Sequence, residues 1–264
     1  EVELTRSLID RDFPHFQRSR ALRLHFVTMI TYDSSLAAGV AFPAEERVRN
    51  TLVEIITKAG LRLAKVAESE KAVHIGFFLN GKNDAVFPGE ERRIVPSPMG
   101  VRSYAQTPEM SAPAVAREVV GLVEDPAYPV VIANLANVDV VGHIEDRAAV
   151  LQAVEAADAA LGTIVEECRR QGVTLIVTSD HGTVEEWLYP DGSINTGHTR
   201  NPVPFILADF GGPRRISVLR DQGELADVAP TVLELLDLRK PAEMTGSSLI
   251  AFPRPEGPRP KVVL

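Results

Sequence analysis

Two aspartates and three histidines stand where they could share chemistry. Asp139 and His143 close the stretch NLANVDVVGH at i and i+4, so a helix starting there would carry both on one face of its first turn. Asp180 and His181 are adjacent at the end of the apolar run LIVTSDHG, and His198 lies in NTGHTRNPVPF just before another apolar run. Carboxylate oxygens and neutral imidazoles together suit Mn²⁺, Zn²⁺ or Fe²⁺, whereas an all-oxygen set would suit Mg²⁺ or Ca²⁺. Five such donors exceed a usual single zinc site and point to two ions, which roughly 4 Å apart can clamp a phosphoryl group and activate an attacking oxygen. The same residues also read as an N-cap (Asp139), a turn residue (Asp180) and polar histidine contacts.

Positioning these groups requires a particular kind of fold. The runs PVVIANLAN (129–137) and VTLIVTSDHG (173–182) are continuously apolar, as in strands of a parallel sheet covered on both faces. Between strand-like runs lie helical patterns at 44–60, 111–125, 145–172 and 224–238, with Pro113 near the start of the second and Gly172 ending the third. Alternation of strand and helix predicts an α/β fold, a three-layer, mostly parallel sheet flanked by helices. In such sheets ligands bind beyond the carboxyl ends of the strands, where Asp139, His143, Asp180 and His181 fall. Residues 22–32 and 61–68 read as strands and 71–80 as a further segment of strand character. Residues 80–113 read as a long functional loop, and the Pro-rich tail from Phe252 as a surface wrap.

Composition narrows the function. The 264 residues are 45% hydrophobic and 24% charged, as in a soluble globular protein with ample core. The net charge of −8, without a basic cluster, disfavours nucleic acid as a partner. No run of about 18 apolar residues is evident, so no membrane span is expected. The single Cys168 sits in a helical pattern and fits a reducing cytoplasm. The start, EVELTRSLIDRDF, has neither an initiator Met nor a signal pattern, so the chain reads as part of something longer.

Several blocks in order carry a family resemblance. NLANVDVVGH, TSDHGTVEEW and GHTRNPVPFI resemble the C-terminal metal motifs of the cofactor-independent (2,3-bisphosphoglycerate-independent) phosphoglycerate mutases of the alkaline phosphatase superfamily. LHFVTMITYD, VAFP, AESEKAVHIGFFLNG, FPGEERRIVPSP, PEMSA and LADVAPTVLELLDLRKPAEMTGSSLI continue the likeness over almost the whole chain. The resemblance implies an alkaline phosphatase-like fold. Residues 1–45 would be the closing segment of an inserted phosphotransferase domain, and 46–264 the C-terminal part of a metal-binding phosphatase domain.

It also implies roles. One Mn²⁺ would be held by Asp139, His143 and His198, and a second in part by Asp180 and His181. Lys71 would contact the transferring phosphoryl group, with Glu70 beside the substrate. The nucleophilic Ser and a metal-binding Asp of the family belong to its N-terminal block, and further substrate ligands to its inserted domain; none has a counterpart here. Two departures touch the substrate side: Ile144–Glu145–Asp146 after His143 where Thr-Gly is usual, and PSPMGVRSYAQTPEM where the family tends to carry a Lys and an Asp.

The implied activity is interconversion of 3-phosphoglycerate and 2-phosphoglycerate, a step of glycolysis and gluconeogenesis. The implied setting is a cytoplasmic monomer that needs the missing N-terminal half of the same protein and is inactive alone. Rival readings are a metal-dependent phosphatase or phosphomutase of the same superfamily, and a non-catalytic scaffold fragment. Arg92 and Arg93 are candidates for phosphate attraction or for a solvated loop. His25 and His74 read as core or hydrogen-bonded histidines, Trp187 as packing in the loop toward His198, and Ser179 not as the nucleophile.

Overall fold

The structure, a computed structural model, describes residues 2–10, 13–20, 24–33, 35–42, 47–211, 218–251 and 259–264. The helical start expected at 44–46, the strand start at 22–23 and tail residues 252–258 lie outside the described residues. The chain forms two compact units, Glu1–Arg47 and Val48–Leu264. The first holds helix α1 (Val2–Ile9) and two short strands, β1 (Val27–Thr28) and β2 (Gly39–Val40), paired in parallel with Val27 opposite Gly39. Asp33 braces this unit, accepting from Arg6 at 2.8 Å and from the Ser35 backbone at 2.8 Å.

The second unit is built on a six-stranded sheet. Its strands are β3 (Leu63–Glu68), β4 (Glu90–Val95), β5 (Val130–Ala133), β6 (Thr174–Thr178), β7 (Phe205–Asp209) and β8 (Val262–Val263), in the order β4-β3-β5-β8-β6-β7. Every neighbouring pair is parallel except β6 with β7. Helices α2 (Leu52–Lys58) and α6 (Val228–Leu235) cover one face, where Ile56, Leu233 and Leu235 pack on Leu63, Val130 and Ile176. Helices α3 (Ala112–Glu124) and α5 (Arg147–Gln171) cover the other, with Val119, Leu122, Ile164 and Cys168 on Val66, Val131 and Leu175. The short α4 (Asn137–Gly142) lies between β5 and α5. Each fully buried Val, Leu or Ile contributes about 1.5–3 kcal/mol relative to exposure, so the continuous apolar strands hold the middle layer from both sides.

Local chemistry sets the helix limits. Asp146 caps α5 by accepting the Ala149 N–H at 3.1 Å, and Gly172 ends it in the left-handed region at φ 65°. Helix α5 is 25 residues long with a window of mean hydropathy 1.4, enough by length and composition to cross a bilayer. Here its apolar face, including Ala153, Ile164 and Cys168, is buried within the unit.

Five expectations differ from the structure. The helix expected over 44–60 begins only at Leu52, where Thr51 caps it by accepting the Glu54 N–H, and among the described residues of the strand expected over 22–32 only Val27–Thr28 pairs. The segment 71–80 is not a strand: Lys71 closes a 3₁₀ turn that begins at Ser69, and His74–Phe78 form one turn of π-helix. A short apolar run is ambiguous between the two periods, and β3 already fills the adjoining place in the sheet. The segment 80–113 is not all loop, because EERRIV forms β4 at the sheet edge, where Glu91, Arg92 and Arg93 reach solvent. The last residues of the tail do not wrap the surface. Val262 and Val263 form β8 between β5 and β6, and the Lys261 ammonium caps α3 through the carbonyls of Leu122 (2.6 Å), Val123 (2.8 Å) and Asp125 (2.7 Å).

Candidate metal centre

Strand direction places the site. Strands β3, β5 and β6 run parallel, so their carboxyl ends, Glu68, Ala133 and Thr178, reach one rim. β7 runs the other way, so its first residue, Phe205, pairs with Thr178 at that same rim and brings the preceding loop with it. Past β5 the chain enters α4, with Asp139 in its first turn and His143 as its C-cap. The fully buried Asn137 anchors this helix by donating from Nδ2 to Ala153 O of α5 at 2.7 Å. Past β6, Gly182 forms an isolated bridge with Thr199, whose N–H donates to Gly182 O at 2.9 Å. The Thr199 hydroxyl bonds the Glu185 carboxylate, and the bridge carries His198 over the rim. A Cβ at position 182 would collide with both of those groups, so a side chain there would displace the Thr199–Glu185 contact.

The result is a convergent set of donors. His198 Nε2 lies 3.1 Å from Asp139 Oδ1 and 3.2 Å from His143 Nε2. His143 Nε2 is 3.4 Å and His181 Nε2 3.7 Å from the same Asp139 oxygen. Asp139, His181 and His198 present ligand atoms all within 4.8 Å of one another, and the rings of His181 and His198 stack at 3.5 Å. Two imidazoles are held with Nδ1 turned away from the cluster: His143 Nδ1 donates to Thr196 O at 2.6 Å and His181 Nδ1 to Gly182 O at 3.2 Å. A proton held on Nδ1 leaves Nε2 as a lone pair aimed at Asp139, the orientation that metal-binding histidines take. A carboxylate oxygen with imidazole lone pairs fits a divalent transition-metal ion.

Charge is balanced from the β3 side. The Lys71 ammonium bonds Asp139 Oδ2. Burial alone would raise the Asp139 carboxyl; Lys71, His143 and His181 more than offset it and hold the group below its usual range. Burial, with the Lys71 charge, lowers the imidazole of nearby His74.

Beneath Lys71, Glu68 is fully buried and accepts from Ser97 Oγ at 2.8 Å and from the Ser111 N–H at 3.0 Å. Burial raises the Glu68 carboxyl above its usual value. Glu70 accepts the Tyr104 hydroxyl at 2.6 Å, which pushes that phenol up to about 12. The two glutamates thus tie the β3 end to the 96–111 segment.

Of the residues singled out by sequence, Asp139, His143, His181, His198 and Lys71 meet at the rim. Asp180 stands at its margin, 3.5 Å from His181 Nε2 with a side chain 69% exposed. The Ser179 hydroxyl is spent on the turn, donating to His181 O at 2.7 Å. Arg92 and Arg93 are neutralised on β4, by Glu90 at 2.6 Å and by Glu91 at 2.8 Å, rather than facing the rim as free charges. His25 and His74 are exposed rather than core, the latter against Phe78. Trp187 packs on the cluster of Val141, Val150 and Ala153 beneath α4.

Sequence reading passed over Glu68 and Lys65. Lys65 is also fully buried, its ammonium 2.7 Å from Glu90 and 2.7 Å from Asn80 Oδ1, and burial pushes it down to about 8. The available signal was a charge inside an otherwise apolar run, LAKVAE, which demands a partner if the run is a buried strand.

Comparison with known proteins bears on what this cluster does. A profile described as the metalloenzyme superfamily matches residues 10–240. The 2,3-bisphosphoglycerate-independent phosphoglycerate mutase of Thermosynechococcus vestitus is 44% identical over 254 residues, covering 94% of this chain and 47% of that protein. The protein of the same description from Moorella thermoacetica is 45% identical over 249 residues, with 94% and 47% covered. A crystal structure of Leishmania mexicana phosphoglycerate mutase at low cobalt concentration superposes with a TM-score of 0.80 at 27% identity, covering 94% of this chain and 48% of that one. The chain spans about half the length of the curated relatives it matches.

Proposed function

The chain belongs to the metalloenzyme superfamily, and from that premise we propose that it is the metal-bearing part of a cofactor-independent phosphoglycerate mutase, interconverting 3-phosphoglycerate and 2-phosphoglycerate through a phosphoserine outside this chain. The observation that carries the reading is the convergence of Asp139, His181 and His198, with Lys71 on the same carboxylate. A generic scaffold has no need to aim several imidazole lone pairs and an ammonium at one half-buried carboxylate. The relatives named above, which carry the mutase description over nearly all of this chain, favour this substrate over another phosphate ester.

In this reading Asp139, His143 and His198 hold one divalent ion and Asp180 with His181 part of a second; the mixed oxygen and nitrogen set suits Mn²⁺, Zn²⁺ or Fe²⁺, and the family resemblance selects Mn²⁺ among them. When bound, such ions neutralise and polarise phosphoryl oxygens. The chain's own groups do the rest. The Thr196 and Gly182 carbonyls hold the His143 and His181 protons on Nδ1, so both rings keep Nε2 free. Lys71 leaves Asp139 for the phosphoryl group and neutralises charge that grows on its oxygens during transfer. Glu70 lies beside the glycerate, held by Tyr104. Residues 1–45 are the closing segment of an inserted phosphotransferase domain and 46–264 the metal-binding domain, acting in the cytoplasm as a monomer.

The test is reconstitution. The purified chain should bind at most one Mn²⁺ tightly and leave 3-phosphoglycerate unchanged. Supplying the remainder of a relative's polypeptide should restore interconversion. Turnover of an aryl phosphate but not of phosphoglycerate by the reconstituted material would instead make it a phosphatase of the same superfamily.

A further inference from the structure

Lys71 stands in an uneven piece of helix. Residues 69–78 run as a 3₁₀ turn at Ser69–Lys71, an α step at Ala72 and Val73, and a π turn at His74–Phe78. A 3₁₀ turn is tighter than an α-helix and a π turn looser, and neither is the form a free segment prefers. A piece this short is also marginal as a helix on its own. Nor do its side chains hold it by packing. Ile75 is the one buried side chain between 69 and 78, while Val73 and Phe78 are 56% and 54% exposed. A helical piece that is tight at one end and loose at the other has both ends fixed by the rest of the fold, and absorbs the mismatch in its hydrogen-bond register.

Both fixings come from charges buried in β3. At the first end, Glu68 holds Ser97 and Ser111, and the Ser97 hydroxyl in turn accepts the Glu70 N–H at 3.2 Å. At the far end stands Asn80, 1% exposed. Its Oδ1 accepts from the Lys65 ammonium at 2.7 Å, and its Nδ2 donates to Glu90 Oε2 at 2.9 Å and to Ala85 O at 3.0 Å. Lys65 and Glu90 pair at 2.7 Å with both side chains fully buried. An amide that bridges both members of a buried ion pair has little freedom, because moving it leaves charge without a partner. Arg92, bonded to the same Glu90, lies along the π turn: its Nη1 is 3.1 Å from where a Cβ on Gly76 would stand.

We infer that Asn80 is a positioning residue for Lys71: by tying the far end of the 69–78 segment to the buried Lys65–Glu90 pair, it sets where on the rim the Lys71 ammonium stands. Asn80 touches neither Lys71 nor the donor cluster and acts through the intervening turns. Released at Asn80, the segment relaxes toward α-helix. Going from three to 3.6 residues per turn rotates each residue of the first turn by about 20° relative to the next, and the long Lys71 side chain carries that rotation away from Asp139. This inference rests on the mutase reading only for what Lys71 contacts; where Lys71 stands is measured without substrate.

The experiment labels the amines of the purified, metal-free chain with acetic anhydride at one fixed pH and follows each lysine by mass spectrometry. In Asn80→Ala, Lys71 should label several-fold faster than in the parent chain. Lys261, whose ammonium caps α3 in the same unit, should keep its parent rate. Asn80→Leu, closer in volume, gives the same readout should the alanine variant not fold. After reconstitution with the remainder of a relative's polypeptide, kcat for 3-phosphoglycerate should fall about 10–100-fold with KM within a factor of about 3. Three results overturn the inference: Lys71 labelling at the parent rate in a folded variant, Lys71 and Lys261 speeding up together, which marks general loosening, or a raised KM with kcat unchanged. A reconstituted parent that does not interconvert phosphoglycerates refutes the mutase reading, and the labelling pattern still decides whether Asn80 places Lys71.

Discussion

Replacing Glu68 by alanine tests whether a buried carboxylate organises the rim. Glu68 ends β3 fully buried, and its two oxygens receive the Ser97 hydroxyl and the Ser111 backbone N–H at 2.8 and 3.0 Å. Hydrogen bonds to a charged group contribute about 1.5–3 kcal/mol each. Truncation also leaves the Ser111 N–H buried without a partner, but it removes the cost of burying the carboxylate. The net expectation at neutral pH is a loss of about 2–4 kcal/mol. For a unit of this size that is a fall of roughly 4–16 °C in the midpoint of thermal unfolding, read by circular dichroism.

Glu68→Gln separates charge from shape. It keeps one acceptor but turns an amide donor toward another donor. Burial raises the Glu68 carboxyl above its usual 4.5, so the folded state holds its proton more tightly than the unfolded state. The stability this provides is complete below about pH 4.5 and is lost as pH rises through the raised value. The advantage of the parent chain over the glutamine variant should therefore shrink as pH rises from 4 toward 8. An alanine variant within about 0.5 kcal/mol of the parent, outside the range expected for a lost buried network, would refute the argument. So would a parent-to-glutamine difference that ignores pH.

Other substitutions probe separate parts of the design. Lys65→Met removes one of the two cations on the buried Glu90 carboxylate, leaving Arg92 and the Asn80 amide on it, and should cost about 1–3 kcal/mol in chemical denaturation; a neutral effect would mean that Arg92 and Asn80 suffice to satisfy Glu90. Gly182→Ala forces apart the Thr199–Glu185 bond that holds the His198 loop, so Mn²⁺ affinity by calorimetry should fall about 10–100-fold with the circular dichroism spectrum unchanged. Lys71→Met removes the ammonium from Asp139, so Mn²⁺ should bind at least as tightly as before, while on the proposed reading turnover of 3-phosphoglycerate by the chain reconstituted with the remainder of a relative drops by about 100-fold or more. Weaker metal binding in that variant would show that Lys71 builds the cluster rather than serving the phosphoryl group.

Much of this protein was set by short-range pattern. The apolar runs at β5 and β6, the Asp146 and Gly172 ends of α5 and the alternation of strand with helix are local periodicities and caps, and each is written in neighbouring residues. Placement of Asp139 with His143 one helical turn apart is local in the same sense.

What the tertiary structure decided depends on partners far apart in the chain. Val262 and Val263 look like the end of a proline-rich tail until β5 and β6 leave a place between them in the middle of the sheet. His198 reaches Asp139, 59 positions earlier, only because β7 runs antiparallel to β6 and returns its loop to the same rim. Lys65 and Glu68 acquire their meaning from Glu90, Ser97 and Ser111, which no spacing rule connects to them. Periodicity says which face of an element is apolar. Which elements become neighbours, and so which polar groups must satisfy one another out of water, is settled by long-range pairing and packing.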